Sequence, residues 1–354
     1  MSEPSSSKSN PKTVFVVGAG ASQEADMPTG HELKNSIATA LNFKFKFGSQ
    51  MISGDHRILE ALHMASGDDI NTFLNACRRI HDAMPQAISI DNFIDSHSGD
   101  KQIELCGKLA IVRTILEAET KSDMFVEFQG SHRLKYDRLE NTWFHSFMQL
   151  LTENCSPSNL AARLSSVALV IFNYDRCIEH YLYHAIQTYY GKDASDVAQL
   201  LHRLEVYHPY GTVGSLPWLR HDNQIAFGAT PHSKQLLGLA SQIKTFTEGT
   251  DESSSDVASI RSIMKTSDKL VFLGFAFHHL NIELLLPKPM SEKSPIMQRR
   301  LFATAYGISK SDTDSISAEL AVKGRLSMVN IQIRNDLKCG QLFREYWRSM
   351  SFAR

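Results

Sequence analysis

The chain of 354 residues is long enough for a nucleotide-binding core and a second module. Its 37 basic and 38 acidic residues nearly balance, so composition gives no electrostatic argument for direct nucleic-acid binding. Five scattered cysteines without a C-x-x-C pair disfavour a disulfide framework and a four-cysteine zinc site, and we expect no metal. No apolar run approaches the ~18 residues of a membrane span, and residues 1–12 indicate a short disordered tail instead of a secretory signal, so we expect a cytoplasmic protein without membrane contact.

Six apolar runs predict β-strands, and most are continuous, as is typical of parallel strands covered on both faces. Helical patterns lie between the later runs, and this alternation predicts a doubly wound α/β fold with a mainly parallel, Rossmann-like sheet. The predicted strands are Val14–Val17, Val167–Phe172, Leu204–His208, Lys269–Leu273, Leu301–Tyr306 and Met328–Ile333. The predicted helices between the later strands are Arg176–Tyr190, Asp193–Arg203, Pro231–Phe246 and Asp256–Lys265.

The long gap between the first two strands carries one helical pattern after another. We expect a large all-helical insertion over residues 31–166, forming a lid or second lobe over the carboxyl edge of the sheet, where ligands bind. The Rossmann-like core then comprises residues 13–30 and 167–354. The helices predicted within the insertion are His56–Ala65, Ile70–Met84, Gln102–Thr120 and Asp137–Asn154.

The first strand runs into a glycine turn, TVFVVGAGAS. Gly18 begins a sharp turn, and Gly20 lets the backbone approach a ligand without a Cβ clash. The amides of Gly20, Ala21 and Ser22 would face outward at a helix start, where a diphosphate fits. Gln23 replaces the third glycine of the dinucleotide fingerprint, which weakens a dehydrogenase interpretation and leaves phosphate binding intact. A single G-x-G turn is also compatible with a purely structural role.

Polar side chains end the next two strands. Asn173 and Asp175 follow the strand of LVIFNYDRCIEHYL, and His208 ends that of LEVYHPYGTVG. A histidine at this edge can serve as general base because its pKa lies near working pH. Asp175 is equally a natural helix N-cap, and Asn173 can bond its own backbone, so ligand binding and local capping both stay open.

A fourth junction, VFLGFAFHHLNIELL, places Gly274 where the strand turns into a helix. A glycine there lets a ribose or base lie against the backbone, although an ordinary turn would use the same residue. His278 and His279 are adjacent, so their side chains point apart, and no carboxylate or cysteine lies at a metal-ligand spacing. We therefore expect no metal site at this junction.

In this order, GAGAS, FNYD, HPYG and GFAF resemble the sirtuin superfamily, and more specifically the sirtuin-like NAD-hydrolase domains of bacterial anti-phage defence systems. The resemblance implies that Asn173 and His208 are catalytic, with His208 as the base, and that Asp175 binds ribose. The segment SIDNFID (Ser89–Asp95) also resembles an acidic segment of the defence subfamily's helical insert. The full set of predicted NAD-binding residues is Gly18, Ala19, Gly20, Ala21, Ser22, Thr29, Asp175, Gly274, Phe275 and Asn281.

The chain departs from the sirtuin deacylases in three ways. It lacks their four-cysteine zinc module, and ADMPTG stands where their G-[IV]-P-D-F-R segment is expected. Pro209 and Tyr210 separate His208 from Gly211, so the His-Gly pair is interrupted. These departures suit an enzyme that no longer takes a protein substrate and lets water attack.

The resemblance implies an NAD+ hydrolase that releases nicotinamide and ADP-ribose and needs no other cofactor. Because unregulated NAD+ loss would harm the host, we expect gating by homo-oligomerisation or by a separate sensor or ATPase subunit. By resemblance, that subunit is a HerA-type motor, an Argonaute-type module or another small-molecule sensor. The alternatives are a non-catalytic NAD or ADP-ribose-binding regulatory module, an NAD-dependent protein deacylase and a dehydrogenase.

Overall fold

The computed structural model describes residues 13–47, 50–67, 69–127, 133–219, 223–245, 248–249, 256–287 and 298–352. The tail predicted over residues 1–12 lies outside the described residues. None of the helices in the described ranges combines the length and the apolar character that a bilayer crossing requires.

The centre of the molecule is a parallel sheet of six strands. The strands of the described chain are β1 (Thr13–Val17), β2 (Lys44–Lys46), β3 (Gln50–Ser53), β4 (Val167–Ile171), β5 (Glu205–Tyr207), β6 (Lys269–Leu273), β7 (Arg300–Thr304) and β8 (Ile331–Arg334). The sheet order is β5-β4-β1-β6-β7-β8, and every neighbouring pair is parallel. Counted along the chain within this sheet, the order is the 3-2-1-4-5-6 of doubly wound dinucleotide-binding folds. The six predicted strands are confirmed, although the last begins at Ile331 because Met328–Asn330 form a 3₁₀ turn.

Both faces of the sheet are buried. Successive side chains of a strand point to opposite faces, so β1 divides its residues between two apolar cores. Phe15 and Val17 belong to the core shared with the segment between β1 and β4, whereas Val14 and Val16 belong to the core under the later helices. This double burial explains why β1 is a continuous apolar run.

Helices cover both faces, and most follow the predicted positions. Two predicted helices differ: Pro231–Phe246 is observed only over Ser233–Ala240, and Asp137–Asn154 is divided because Thr142 accepts the amide of His145 and starts a new helix. The helices are α1 (Ala19–Ser22), α2 (Gly30–Ala40), α3 (His56–Ser66), α4 (Ile70–Ala83), α5 (Ile90–Ser96), α6 (Lys101–Lys121), α7 (Tyr136–Leu139), α8 (Trp143–Thr152), α9 (Leu160–Ser165), α10 (Cys177–Tyr190), α11 (Ala194–Leu201), α12 (Ser233–Ala240), α13 (Val257–Thr266), α14 (His279–Leu285), α15 (Lys310–Gly324) and α16 (Cys339–Met350).

The segment between β1 and β4 is mainly helical but not entirely so. It contains the antiparallel pair β2–β3 within the expected all-helical stretch. The sequence FKFKF over residues 43–47 alternates aromatic and basic residues with a period of two, which favours a strand over a helix. The expectation that residues 31–166 are all helical is therefore wrong at this hairpin.

A buried ion pair joins this segment to the rest of the chain. Glu119 of α6 is fully buried and accepts hydrogen bonds from Arg176 at 2.6 and 3.0 Å and from the Gly228 amide at 2.8 Å. Arg176, at the start of α10, also donates to the carbonyls of Gly214 and Ile225 at 3.2 and 2.7 Å. A buried charge is tolerated only when it is paired and hydrogen-bonded, and both charges of this pair meet that condition.

Candidate functional site

A cavity of about 1020 Å³ opens at the carboxyl ends of β1, β6 and β7. The sheet order reverses between β1 and β6, and ligands of doubly wound sheets bind in the crevice at such a reversal. The volume reaches the upper end of the ~300–1,000 Å³ range of small-molecule pockets, as a dinucleotide requires. The N-terminal turns of α2 and α14 and one face of α5 complete its wall.

The glycines of the first and fourth motifs lie against each other at this reversal. The Gly18 amide donates to Leu273 at 2.9 Å, and the Gly20 amide donates to Gly274 at 3.1 Å. A Cβ on Gly18 would lie 2.5 Å from the Gly274 oxygen, and a Cβ on Gly274 would lie 2.0 Å from the Ala21 nitrogen. Gly274 also has a φ of +54°, which disfavours side chains. These glycines line the cavity, but what requires glycine at these positions is the close packing of the turn after β1 against the turn after β6.

The amides predicted to hold a diphosphate are only partly available to a ligand. Gly20 donates to Gly274, and the Ala21 amide donates to the Gly18 carbonyl at 2.9 Å. Ala21 and Ser22 are buried behind the wall, whereas Gly18, Ala19 and Gly20 line the cavity. Two N-terminal amides of the short helix α1, those of Gly20 and Ala21, are therefore hydrogen-bonded within the protein.

Asn173 lies directly behind the glycine turn. Its side-chain amide donates to the Gly18 carbonyl at 3.2 Å and to the Ser22 hydroxyl at 2.9 Å. Within the described part of the chain its Oδ1 is buried and has no hydrogen-bond partner, which is rare for a buried polar atom and marks an unused acceptor. Asp175 accepts the Cys177 amide at 3.1 Å, so it supports the start of α10. Burial raises the pKa of the Asp175 carboxyl, and hydrogen bonds from Cys177 and Ser22 offset part of that rise.

His208 is paired on both ring nitrogens. Nδ1 lies 3.3 Å from the Asn173 carbonyl oxygen, and Nε2 lies 2.7 Å from Glu179 Oε1. Burial lowers the pKa of His208, but the charge and hydrogen bond of Glu179 and the Asn173 carbonyl outweigh burial, so the net pKa is raised. Both ring nitrogens are therefore engaged by groups of the protein, and the imidazole orients the Asn173 backbone in this arrangement.

Tyrosines inside two of the motifs reach to two helices that line the cavity. Tyr174, between Asn173 and Asp175, donates its hydroxyl to Asp91 of α5. Tyr210 donates to Asn281 of α14 at 2.5 Å. The strand ends of β4 and β5 are thereby tied to two helices that line the cavity.

The remaining predicted binding residues also lie at the cavity wall. Thr29 caps α2, since its hydroxyl accepts the Glu32 amide at 3.4 Å, and it lines the cavity at the same time. Phe275 lines the cavity beside Phe172, whose ring centroid is 5.1 Å away. Asn281 lines it and accepts from Tyr210.

Sequence reasoning gave no role to several wall residues. Asp91 and Asp95 of SIDNFID line the cavity, and the N-cap Ser89, which accepts the Asn92 amide at 3.0 Å, was a readable helix signal. Lys338, before α16, is the only lysine or arginine among the described lining residues, and its ammonium lies 5.7 Å from the centroid of the Tyr306 ring.

Glu24 lines the cavity and also joins two helices. Its carboxylate accepts the Trp143 amide at 2.6 Å and the Gly340 amide at 3.0 Å, and so caps α8 and α16 together. Burial raises the pKa of Glu24, and the amides of Gly340 and Trp143 offset part of the rise. No signal in the sequence links residue 24 to helices starting at residues 143 and 339.

Among the described residues, no group of three or more His, Cys, Asp or Glu side chains is arranged to hold a metal ion. No protein-family model matches the chain, and no curated protein matches it with significance.

Proposed function

We propose that the protein is an NAD+ hydrolase that cleaves NAD+ to nicotinamide and ADP-ribose. The observation that carries the proposal is the dinucleotide-sized cavity at the β1–β6 reversal, with the unpartnered Asn173 oxygen directly behind its glycine turn. Carboxylates on α5 and the single lysine, Lys338, among the described lining residues suit a ligand with a positive ring and a negative diphosphate.

Hydrolysis needs little general acid catalysis from the protein, because nicotinamide leaves as a neutral molecule. The N-glycosidic bond breaks with its electron pair passing to the ring nitrogen, water adds to the ribose C1′, and one proton is released. The site has to fix the ribose, exclude bulk water and stabilise the cationic centre. The unpartnered Oδ1 of Asn173 supplies an acceptor for a ribose hydroxyl or the attacking water, while its side-chain NH2 group is bound to the Gly18 carbonyl and the Ser22 hydroxyl.

His208 supports this step through Asn173. Because both of its nitrogens are engaged by groups of the protein, we assign it first to positioning the Asn173 backbone. Accepting a proton from water, the role implied by the resemblance, requires one of these two hydrogen bonds to open during the reaction.

The test is to incubate the purified full chain with NAD+ and to resolve nicotinamide, ADP-ribose and cyclic products by chromatography. Asn173→Ala and His208→Ala each abolish nicotinamide release with the fold intact, whereas Asn75→Ala, an exposed asparagine of α4, leaves it unchanged. Normal NAD+ turnover by both site variants would refute the assignment.

The proposed biological role is a gated cytoplasmic effector of bacterial anti-phage defence by abortive infection. The segment over residues 31–166 is proposed as the lid, because its helix α5 contributes to the cavity wall. Gating would come from homo-oligomerisation or a separate sensor or ATPase chain, such as a HerA-type motor or an Argonaute-type module. The same assay is therefore run alone and with the product of the neighbouring gene.

A second candidate is a non-catalytic NAD or ADP-ribose-binding regulatory module. It is favoured by one observation: Asn173 and His208 are both held by hydrogen bonds within the protein and are not lining residues of the described cavity. Tight NAD+ binding without turnover, with the partner present, would select this candidate. A protein deacylase is less favoured than the binding module, and release of acetyl-ADP-ribose from an acetylated peptide would revive it.

A further inference from the structure

Asp91 is the residue of α5 that is most firmly fixed at the cavity wall. It lines the cavity and accepts the Tyr174 hydroxyl hydrogen. Tyr174 itself is buried and stands next to Asn173 in the chain, so the bond ties Asp91 to the strand end proposed to act on the ribose. A side chain with this support presents its carboxylate in a fixed position, as a binding group has to.

Within the described ranges, no lysine or arginine forms an ion pair with Asp91. Burial raises the pKa of the Asp91 carboxyl, and the hydrogen bond from Tyr174 and the charge of His278 offset part of that rise. Tyr210 is a second hydroxyl-bearing neighbour, and Asp95 adds a second carboxylate to the same stretch of wall, one helical turn away. A cationic ligand group beside a partly buried carboxylate favours its ionised form, and the two charges attract each other more strongly than in water because the local dielectric is lower.

We propose that Asp91 recognises the positively charged ring of an N-glycoside, so that the cavity selects oxidised NAD+ over reduced NADH. The inference rests on the proposed function in taking NAD+ as the ligand, and it adds the charge state of the nicotinamide as the feature that is recognised. The two dinucleotides share the adenosine, the diphosphate and both riboses and differ only at the nicotinamide, where NADH carries an added hydride at C4 and lacks the positive charge. Loss of discrimination in a variant that removes only the charge of residue 91 therefore isolates a charge contact at the nicotinamide.

The placement also bears on the cleavage step. When the glycosidic bond breaks, the positive charge moves from the ring to the ribose C1′, a displacement of about one bond length. A carboxylate fixed beside the ring stays close to the charge throughout, so it stabilises the cationic centre and not only the bound substrate.

The experiment measures Kd for NAD+ and NADH by calorimetry on the full-length protein. The wild type is expected to bind NAD+ about tenfold more tightly than NADH, the size expected of one partly buried charge contact. Asp91→Asn removes the charge at nearly constant shape and brings the two Kd values within about twofold, mainly by weakening NAD+ binding. Asp91→Glu keeps the charge and retains most of the preference. Asp82→Asn, an exposed carboxylate of α4, is the matched control and leaves the ratio unchanged.

Outcomes separate this inference from the proposed function. Equal affinity of the wild type for NAD+ and NADH, or an unchanged ratio in a folded Asp91→Asn variant, overturns the inference even if NAD+ is hydrolysed. A preference for NAD+ that Asp91→Asn removes supports it even if no variant and no partner yields nicotinamide, in which case hydrolysis alone fails. Binding of neither dinucleotide overturns both. Equal wild-type affinities would overturn the inference without any variant having to fold, and Asp91→Glu, which keeps the charge, supports it by retaining the preference.

Discussion

Replacing Glu119 with glutamine tests whether the segment between β1 and β4 is anchored to the sheet by the buried ion pair. The substitution keeps the shape of the side chain and one acceptor oxygen but removes the negative charge. Arg176 then remains buried, at 2% side-chain exposure, with its charge uncompensated. Its hydrogen bonds to Gly214 and Ile225 cannot replace a counter-charge.

Breaking a buried ion pair by removing one partner costs about 3–5 kcal/mol. Unfolding entropy is about 2.1 cal/mol/K per residue, so a chain of 354 residues loses about 4–7 °C in Tm for that cost. Glu117→Gln is the matched control on the same helix. Glu117 pairs with Lys121 at 2.6 Å with both side chains solvent-exposed, and such pairs contribute about 0–1 kcal/mol.

Urea unfolding followed by circular dichroism gives the free energy of unfolding, and scanning calorimetry gives Tm. A loss below about 1 kcal/mol in Glu119→Gln, equal to that of the control, would refute the reasoning. A second measurement is the double substitution Glu119→Leu with Arg176→Met. Replacing both charges with apolar side chains is expected to recover part of the loss, because it removes the unpaired charge but leaves the Gly228 amide and the Gly214 and Ile225 carbonyls without these partners.

Two further predictions concern the site. Gly274→Ala places a Cβ 2.0 Å from the Ala21 nitrogen at a positive φ, so it lowers the free energy of unfolding by at least about 2 kcal/mol and weakens NAD+ binding. The control Gly30→Ala, whose Cβ would have nothing within 4 Å, changes the free energy of unfolding by less than about 0.5 kcal/mol. Equal effects of the two variants in urea titrations would contradict the close packing of the turn at Gly274 against the turn at Gly18–Ala21. The pKa of His208 is raised above 6.5 in the folded state, so the stabilisation from its pairing with Glu179 is complete below that pH and is lost as pH rises through the folded pKa. Unfolding free energies between pH 6 and 9 should show this loss in the wild type and not in Glu179→Gln, and parallel curves would disprove it.

The sheet was predictable from sequence because its strands are buried on both faces. A continuous apolar run of five residues such as Val167–Ile171 is too short for a typical helix and fits a buried strand. The polar helix α15 has neither a continuous apolar run nor a clear helical spacing of apolar residues, and it was not predicted. Its N-cap Ser309, which accepts the Asp312 amide at 3.1 Å, was the available signal.

The residues of the candidate site were predictable only where a local sequence pattern indicates them. Asn173 and Asp175 follow a strand, and a strand end in an α/β sheet faces the ligand edge, so their region was recognisable. The bond from Tyr174 to Asp91 joins residues 83 positions apart, and no local periodicity encodes such a contact. Nor does local periodicity show why glycine is needed at positions 18 and 274, since a Cβ on Gly18 would meet the Gly274 backbone and a Cβ on Gly274 would meet the Ala21 backbone.

The capping of both α8 and α16 by the Glu24 carboxylate has a consequence for the timing of folding. The Gly340 amide lies 316 positions further along the chain than the carboxylate that accepts it. During synthesis the glycine turn after β1 is made early, but the Glu24 carboxylate cannot accept the Gly340 amide until residue 340 has left the ribosome. The nascent chain therefore holds an incomplete site while all the intervening strands and helices are made, and α16 is the helix that closes it.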